Sequence, residues 1–545
     1  MLATLNKNMN SREGRTSSTA FMFPQPWIYT TRGIAVRLFI TCWMIYAVHV
    51  ATNTVREIYL ALAIGDHFSF RVDDYANMHP DLFEKPGYGW HIGANPGASM
   101  LGAIPYFLSR PVVDQIVAAV NRSRTAGARN EPPPYNSPWP MRRAFYAEAW
   151  RRGYDIKFGL AALVMQWFCM APISALGVVA MFFLLRRVFG SDYIGLWLAL
   201  LYAFGTPVFF RTGFLNHNMI LGHFAFIGFL LLWNPGQDFR WPESVRYFLC
   251  GLSAGAAMLL DYSGIVILGG LFCYAVVKAW RAEPIRHVIR RAGTYVLGSI
   301  GPILLLWFYQ WRSFGNPFLP GQHWMPPVEW IDIGYQGFTW PQPDLFWHLL
   351  FDYRYGLFTT CPMLLLVLLA LYRRRAIKRF LPAPEFAILM LLPLALILFC
   401  SGISYTRLQF NNGMRYLAPT LPFLFVPVAV ALVKIISRRL AYLASIIAVA
   451  QAWSMAMSRD VERGFGVLDP VLRVFIGGFQ VPVLTVLSRM NSGQYGDYTS
   501  AGVSPLPIFA VVAALIFVLW STGLRSEPQS ATEATERSVV EVMSS

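Results

Sequence analysis

The feature that most constrains this chain is a series of apolar runs that recurs along nearly its whole length. A helix needs about 20 apolar residues to cross the roughly 30 Å of hydrocarbon in a bilayer. With 55% of its residues hydrophobic and only 14% charged, the chain cannot bury its apolar side chains in one soluble core. The sequence therefore predicts an all-α polytopic membrane protein with about twelve transmembrane helices. The predicted spans lie near residues 34–52, 158–185, 191–210, 218–234, 245–260, 263–279, 293–312, 357–372, 384–400, 417–436, 440–457 and 505–523.

The formal net charge of +16 is explained better by membrane topology than by binding of nucleic acid. The basic residues are spread over short connectors between apolar runs and form no single stripe, so no nucleic acid partner is predicted. Connectors rich in Lys and Arg alternate with connectors poor in net positive charge, as the positive-inside rule requires. Both termini are then cytoplasmic, and the protein is predicted to be integral to the inner (plasma) membrane. The basic connectors contain Arg186 and Arg187, residues 278–291, residues 373–379 and residues 434–439.

The chain divides into two polar tails and one membrane domain. Residues 1–33 form a basic N-terminal tail, and the apolar run that follows is an uncleaved anchor. Residues 34–524 form the transmembrane domain. Residues 525–545, rich in Ser, Thr and Glu, form a tail predicted to be disordered and cytoplasmic.

Three external segments are long, at 53–157, 313–356 and 458–504. The apolar part of the first is interrupted by Pro105 and Pro111, which favours short helices along the membrane surface over a clean span. The first loop also carries many arginines, against the positive-inside trend. That rule is weak for long loops, and the acidic residues of the loop nearly balance the basic ones.

The six cysteines lie within or at the edge of apolar runs and show no spacing suited to a metal. They are interpreted as packing residues, and neither a metal nor a cofactor is predicted. They are Cys42, Cys169, Cys250, Cys273, Cys361 and Cys400.

The densest group of ionisable residues, "FRVDDYANMHPDLFEKPGYGWHIGANPGAS", begins shortly after the first apolar run. Asp73 and Asp74 are adjacent there. Such a pair commonly caps a turn. Alternatively, one carboxylate is a general base at the membrane face, because two neighbouring carboxylates in a partly dry site do not both ionise freely. Asp81 and Glu84 are the next candidates for the base.

Arginines at predicted outer helix ends favour a bound anion. Arg407 and Arg415 lie in "SYTRLQFNNGMRYLAPTLPFL", and Arg354 follows Asp352 in "GFTWPQPDLFWHLLFDYRYGLFTTCP". The planar guanidinium pairs two donors with phosphate oxygens. For Arg354, an interfacial belt of aromatic residues with a snorkelling arginine is the alternative.

Several polar residues lie in or beside apolar runs, where they are costly and often functional. For Asn216, His217 and His223 the alternative is hydrogen bonding between helices. For Asp261 it is a structural cap at an outer helix end. His323, on the second long loop, could reach the mouth of the bundle or be an exposed loop histidine.

An acidic pair in the first external loop, "NPGAS", "RYGLF" with a following "CP", and "NNGMRYLAPTLPFL" together resemble the polytopic GT-C glycosyltransferases. The resemblance is to the branch that includes the protein O-mannosyltransferases and the aminoarabinose transferases. The resemblance implies a bundle of transmembrane helices with surface helices in the first loop. It also implies a sugar donor on polyprenyl phosphate and an acidic first-loop residue that activates the acceptor.

The resemblance implies that Asp73 or Asp74 is the base. It also implies that Arg415 and Tyr416 match the "RY" that enters a late helix, and that Arg354 matches the basic position before an earlier helix. Many relatives carry a Lys just before a similar Pro-Gly turn, where this chain has Ala94 and Asn95. His91 or Lys85 is then expected to contact the donor phosphate. Further candidate substrate contacts are Tyr416, His323, Asp81 and His217.

The predicted activity is transfer of a sugar from polyprenyl phosphate to a hydroxyl of a protein, lipid or glycan on the extracytoplasmic face. No nucleotide-binding glycine loop is apparent, which fits a lipid-linked donor. A transporter or flippase of lipid-linked saccharides is the alternative. It predicts internal repeats and charges near the bilayer midplane, whereas the charges here gather in external loops. An O-antigen-type ligase or polymerase is a second alternative.

Overall fold

The computed structural model describes residues 30–51, 55–127, 131–132, 134–135, 140–237, 240–281, 284–327, 333–409, 413–458, 465–488 and 504–521. The predicted C-terminal tail and residues 1–29 of the predicted N-terminal tail lie outside this part of the chain.

The described residues are mainly helical. The first half contains α1 (Thr31–Val48), α2 (Arg56–His67), α3 (Gly97–Ala126), α4 (Pro140–Arg151), α5 (Asp155–Met165), α6 (Ala171–Phe189), α7 (Asp192–Phe204), α8 (Val208–Arg211), α9 (His217–Trp233), α10 (Glu243–Leu260) and α11 (Gly264–Trp280). The second half contains α12 (Ile285–Phe314), α13 (Pro343–Phe351), α14 (Leu357–Thr360), α15 (Leu366–Tyr372), α16 (Arg374–Ile377), α17 (Ala383–Ser401), α18 (Leu421–Lys434), α19 (Arg438–Met457), α20 (Leu468–Gly477), α21 (Pro482–Ser488) and α22 (Leu506–Ser521).

Shorter elements connect these helices. A π-helical turn, Gln166–Met170, joins α5 to α6, and an antiparallel hairpin of β1 (Leu82–Lys85) and β2 (Gly89–Ile92) lies in the first long loop. The 3-10 turns are Asp73–Tyr75, Pro235–Gln237, Gly321–Trp324, Pro362–Leu365, Ser404–Arg407 and Ala418–Thr420.

The all-α, multi-pass character is confirmed, but twelve spans are not shown. Each predicted apolar run overlaps a helix or two consecutive helices, yet five helices among the described residues are long and apolar enough to cross a membrane. Six more apolar helices have 10–17 residues. At 1.5 Å per residue, those are shorter than the roughly 30 Å of hydrocarbon. The five long helices are Thr31–Val48, Asp155–Phe189, Ile285–Phe314, Ala383–Ser401 and Arg438–Met457.

Contacts divide the chain into two compact units, residues 1–37 with 518–545 and residues 38–517. In the first unit, the guanidinium of Arg37 lies 5.6 Å from the ring centroid of Trp520. All the features that follow belong to the second unit.

Glycines allow α10 and α12 to approach each other closely. A methyl group on Gly251 would lie 1.9 Å from the carbonyl oxygen of Tyr295, and one on Gly255 would lie 2.7 Å from that of Ser299. On the facing helix, a methyl group on Gly298 would lie 2.0 Å from a carbonyl oxygen of α10. Small residues at such spacing are typical of helix pairs packed within membranes, where backbones gain van der Waals contact by close approach.

The expectation of short surface helices before residue 127 is wrong, because α3 is one helix of 30 residues that contains both Pro105 and Pro111. A proline removes one backbone hydrogen bond but need not end a helix that is held by side-chain packing. One face of α3, including Tyr106 and Val113, is buried. The other face is apolar and exposed, at Ile104, Phe107, Leu108, Val112 and Ile116.

Several arginines of the first loop are paired with acidic residues. Arg124 forms a two-pronged pair with Asp155, at 2.9 and 2.7 Å, and Arg110 lies 3.3 Å from buried Asp66. Pairing of this kind is consistent with the predicted balance of charge in this loop. Its position outside the cytoplasm stays a prediction.

Candidate active site

Helix ends and loops from distant parts of the chain bring ionisable side chains together at one end of the helix bundle. Contributions come from the start of α2, the residue before β1, the start of α9, the residue after α10 and the segment before α18. We call this group the ionic cluster. Its members are Arg56, Glu57, Asp81, His217, Asp261 and Arg415.

Arg56 and Glu57 open α2. A glutamate in the first turn complements the positive end of the helix dipole. Nη1 of Arg56 lies 3.2 Å from Oδ2 of Asp81, and its Nε lies 3.5 Å from Oε1 of Glu57. Arg56 therefore joins α2 to the first-loop hairpin.

Glu57 and His217 form a buried pair. Nδ1 of His217 lies 2.6 Å from Oε1 of Glu57, and the two side chains are 3% and 4% exposed. Asn216 caps α9 by accepting hydrogen bonds from the backbone N–H groups of Asn218 and Met219. Burial opposes ionisation of Glu57, but the attraction of His217 and Arg56 outweighs it and holds the pKa of Glu57 below its usual range.

Asp261 faces Nε2 of His217, the ring nitrogen that does not contact Glu57. It is the C-cap residue of α10, and its Oδ1 accepts a hydrogen bond from the backbone N–H of Ser263 at 2.9 Å, in the turn that leads to α11. Its Oδ2 lies 3.6 Å from Nε2 of His217, and its side chain is 30% exposed. Asp261 therefore stabilises the turn with one oxygen and faces the ionic cluster with the other.

Asp81 is held by Arg56 and lies beside a neutral histidine. The backbone N–H of Asp81 donates to Nδ1 of His79 at 3.0 Å, so that nitrogen carries no proton. Burial accordingly lowers the pKa of His79. For Asp81, burial opposes ionisation, but the charge of Arg56 prevails and lowers the pKa. Asp81 is thus an ionised carboxylate with a side chain 36% exposed.

Arg415 supplies a cation that no carboxylate neutralises directly. It interacts electrostatically with Glu57 and Asp81, yet no carboxylate among the described residues lies within 4.0 Å of its guanidinium. Its guanidinium lies 5.1 Å from the ring centroid of Tyr416. Burial raises the pKa of Tyr416, whose hydroxyl donates to the carbonyl of Tyr405 at 3.4 Å. The segment before α18 thus presents a guanidinium held against an aromatic ring.

The adjacent aspartates lie apart from this cluster. Asp73 pairs with Arg71 at 2.7 Å and accepts the backbone N–H of Trp90 at 2.8 Å. Asp74 lies 3.3 Å from His67. Their side chains are 41% and 56% exposed, so the expected partly dry site is wrong for both. Both carboxylates are exposed, and their role as the base stays a prediction.

Lys85, His91 and His323 form a second neighbourhood around the end of α12. The ammonium of Lys85 lies 3.4 Å from the ring centroid of Trp324, which contacts His323, and it donates to the carbonyl of Phe314. Both ring nitrogens of His91 lie 3.1 Å from backbone carbonyl oxygens. Burial lowers the pKa of both Lys85 and His91. Backbone carbonyls and aromatic rings thus already contact Lys85 and His91.

The other two arginines predicted to bind phosphate contact residues outside the cluster. Arg407 pairs with Asp344 and donates to Oε1 of Gln342 at 2.9 Å. Arg354 lies against Tyr353, with 5.1 Å between its guanidinium and the ring centroid. Of the predicted site residues, those brought together are Asp81, His217, Arg415 and Tyr416.

Sequence reasoning missed Arg56 and Glu57, the residues that connect the cluster. Both directly precede the apolar stretch "IYLALAI", where a pair of charges is costly unless it has partners. That signal was available in the sequence.

The cluster offers ionised carboxylates, a buried histidine and a half-buried guanidinium, which suits proton transfer next to a bound anion. Within the described residues, no group of three or more His, Cys, Asp or Glu side chains is arranged to hold a metal ion. Comparisons of the chain with protein families, with curated proteins and with solved structures find no match.

Proposed function

We propose that this protein is a membrane glycosyltransferase that moves a sugar from a polyprenyl-phosphate donor to an acceptor hydroxyl on the extracytoplasmic face. The observation that carries the proposal is Arg415, a guanidinium without a carboxylate partner within reach among the described residues. It interacts electrostatically with the first-loop carboxylate Asp81. Transfer from a lipid phosphate requires such a pair, a cation for the leaving phosphate and a carboxylate for the attacking hydroxyl.

Arg415 is the proposed ligand of the donor phosphate. A guanidinium forms two parallel hydrogen bonds with phosphate oxygens. Arg211, a buried guanidinium, interacts electrostatically with Arg415 and adds positive charge to the same region. Negative charge on the phosphate grows as the sugar leaves, so Arg415 stabilises the transition state more than the ground state.

Asp81 is the proposed general base, in place of the adjacent aspartates. The acceptor oxygen attacks the anomeric carbon, the bond from that carbon to the phosphate oxygen breaks, and its electron pair stays on the phosphate. The proton of the acceptor hydroxyl passes to Asp81. Arg56 fixes Oδ2 of this carboxylate at 3.2 Å. Proton transfer of this kind contributes roughly 10²–10⁴-fold to rate.

The fold that accompanies this proposal is a GT-C-like bundle of about twelve spans, in which shorter apolar helices complete the membrane domain. A polyprenyl tail would remain in the bilayer while its phosphate reaches the end of the bundle. The acceptor is a protein, a lipid or a glycan.

A transporter or flippase of lipid-linked saccharides is the alternative. Transport across a bilayer favours ionisable side chains near its midplane. Asp81, the proposed base, lies outside the helices in the first long loop, which supports the transferase. Transfer by detergent-solubilised protein, which has no two compartments, would separate the two functions.

Mass spectrometry of lipids and glycans tests the proposal. Cells that lack the protein are complemented with the wild-type protein or with Asp81→Asn. Cells with the variant should accumulate a polyprenyl-phosphate sugar and lose one glycan modification, whereas wild-type complementation restores both. Identical lipid and glycan profiles in all strains would rule the proposal out.

A further inference from the structure

Two hydrogen-bonding atoms of the ionic cluster face each other without bonding. Nε2 of His217 has no hydrogen-bond partner among the described residues, and Oδ2 of Asp261 lies 3.6 Å from it. That separation exceeds the usual range of 2.7–3.2 Å for an N–H···O hydrogen bond. A buried polar atom without a partner is costly, so this position calls for a ligand.

The proton positions follow from Glu57. Because an ionised carboxylate only accepts hydrogen bonds, Nδ1 of His217, 2.6 Å from Glu57, must carry a proton. In the imidazolium form, which attracts the carboxylate of Glu57, Nε2 is a donor as well. Oδ2 of Asp261 is an acceptor, so a donor and an acceptor converge on one point.

A hydroxyl group fits between them, because it accepts one hydrogen bond through its oxygen and donates one through its single proton. An oxygen about 2.8 Å from each atom is geometrically possible when the two atoms are 3.6 Å apart. His217 is closed to solvent, but Asp261 is 30% exposed, so the approach is from its side. Arg56 interacts electrostatically with Asp261, which disfavours a cationic group and favours a neutral hydroxyl.

We propose that Nε2 of His217 and Oδ2 of Asp261 together bind one hydroxyl of the donor sugar and thereby orient its ring while Arg415 holds the phosphate. This inference rests on the proposed function. A site built to hydrogen-bond a hydroxyl discriminates strongly against ligands that lack it, because its buried polar atoms are then left unpaired.

Binding of two kinds of lipid tests the proposal. The probes are a short-chain polyprenyl phosphate and the same lipid carrying mannose, glucose or glucosamine. Affinities are measured with purified full-length protein in detergent and in the presence of EDTA. Asp261→Asn keeps an oxygen for the N–H of Ser263 and replaces the second acceptor by a donor. The matched control is Asp344→Asn, which changes the carboxylate that pairs with Arg407. His217→Gln is a second variant should Asp261→Asn fold poorly.

The wild-type protein should bind at least one glycolipid more tightly than polyprenyl phosphate. Asp261→Asn should weaken that binding about tenfold or more, since a hydrogen bond to a charged group is worth about 1.5–3 kcal/mol. Its affinity for polyprenyl phosphate should stay within about twofold. Equal loss for both lipids, no loss, or no glycolipid preference in the wild-type protein would overturn the inference and leave the proposed function standing. Absence of polyprenyl phosphate binding would instead remove the proposed function itself.

Discussion

Nδ1 of His217 lies 2.6 Å from Oε1 of Glu57, although 160 residues separate them in the chain. The contact joins the first turn of α2 to the first turn of α9. Two helix starts from different parts of the sequence therefore build one buried acid–histidine pair, and Arg56 extends it to the first loop.

The lowered pKa values of Glu57 and Asp81 predict a loss of stability in acid. A carboxylate whose folded pKa lies below its unfolded value contributes stability that is full above the unfolded pKa, about 4, and is lost as pH falls through the folded pKa. The unfolding temperature of the detergent-solubilised protein should therefore fall as pH is lowered from about 5 towards 3. Glu57→Gln combined with Asp81→Asn should start lower at pH 7 and fall less steeply. An identical slope in the double variant would contradict the assignment.

Asp81→Asn should abolish sugar transfer in complemented cells, because the amide cannot accept the acceptor proton. Asp73→Asn and Asp74→Asn are the matched controls, since both carboxylates lie on the surface with local partners. They should retain near-normal transfer. Loss of transfer in either control, with activity retained in Asp81→Asn, would return the role of base to the adjacent pair.

Arg415→Lys should weaken binding of short-chain polyprenyl phosphate partially, and Arg415→Ala should weaken it much further. Lysine keeps the charge but loses the two-pronged geometry. Arg407→Ala is the control, because Asp344 already engages that guanidinium. Titration of purified protein, followed by tryptophan fluorescence, measures the affinities. Unchanged affinity in Arg415→Ala would place the phosphate elsewhere, with Lys85 as the next residue to test.

Gly251→Ala should destabilise the protein by about 1–3 kcal/mol, because its methyl group would meet the backbone of α12 and force α10 away. Gly301→Ala on α12 is the matched control, since a methyl group there has no neighbour within 4 Å. It should be neutral or stabilising by up to about 1 kcal/mol. Equal thermal shifts in the two variants would show that the two helices do not pack as closely as described.

A cysteine at Ser123, exposed near the end of α3, should react with a membrane-impermeant thiol reagent in cells whose outer barrier has been opened. A cysteine at Ala376, exposed in a basic connector, should react only after the inner membrane is lysed. The positive-inside rule assigns these two positions to opposite sides. The reverse pattern would invert the predicted topology.

The sequence by itself determined the helical, membrane-embedded class of this protein. An apolar run is a local property of the sequence, and a helix satisfies its own backbone hydrogen bonds. The sequence alone is therefore enough to locate an apolar helix along the chain. The same reasoning failed for α3, because whether Pro105 and Pro111 end a helix depends on the packing of its buried face. It also overstated the number of membrane-length helices, since helix ends depend on caps and neighbours.

Only the tertiary structure decided which ionisable residues meet. Asp81, His217 and Arg415 each stood out in the sequence for separate reasons, and nothing local linked them. Asp73 and Asp74 were conspicuous because they are adjacent, yet adjacency along the chain carries no information about burial. Burial and charge pairing arise from contacts between distant segments. At Glu57 and His217, two helix ends meet, and that contact both buries the two side chains and pairs them.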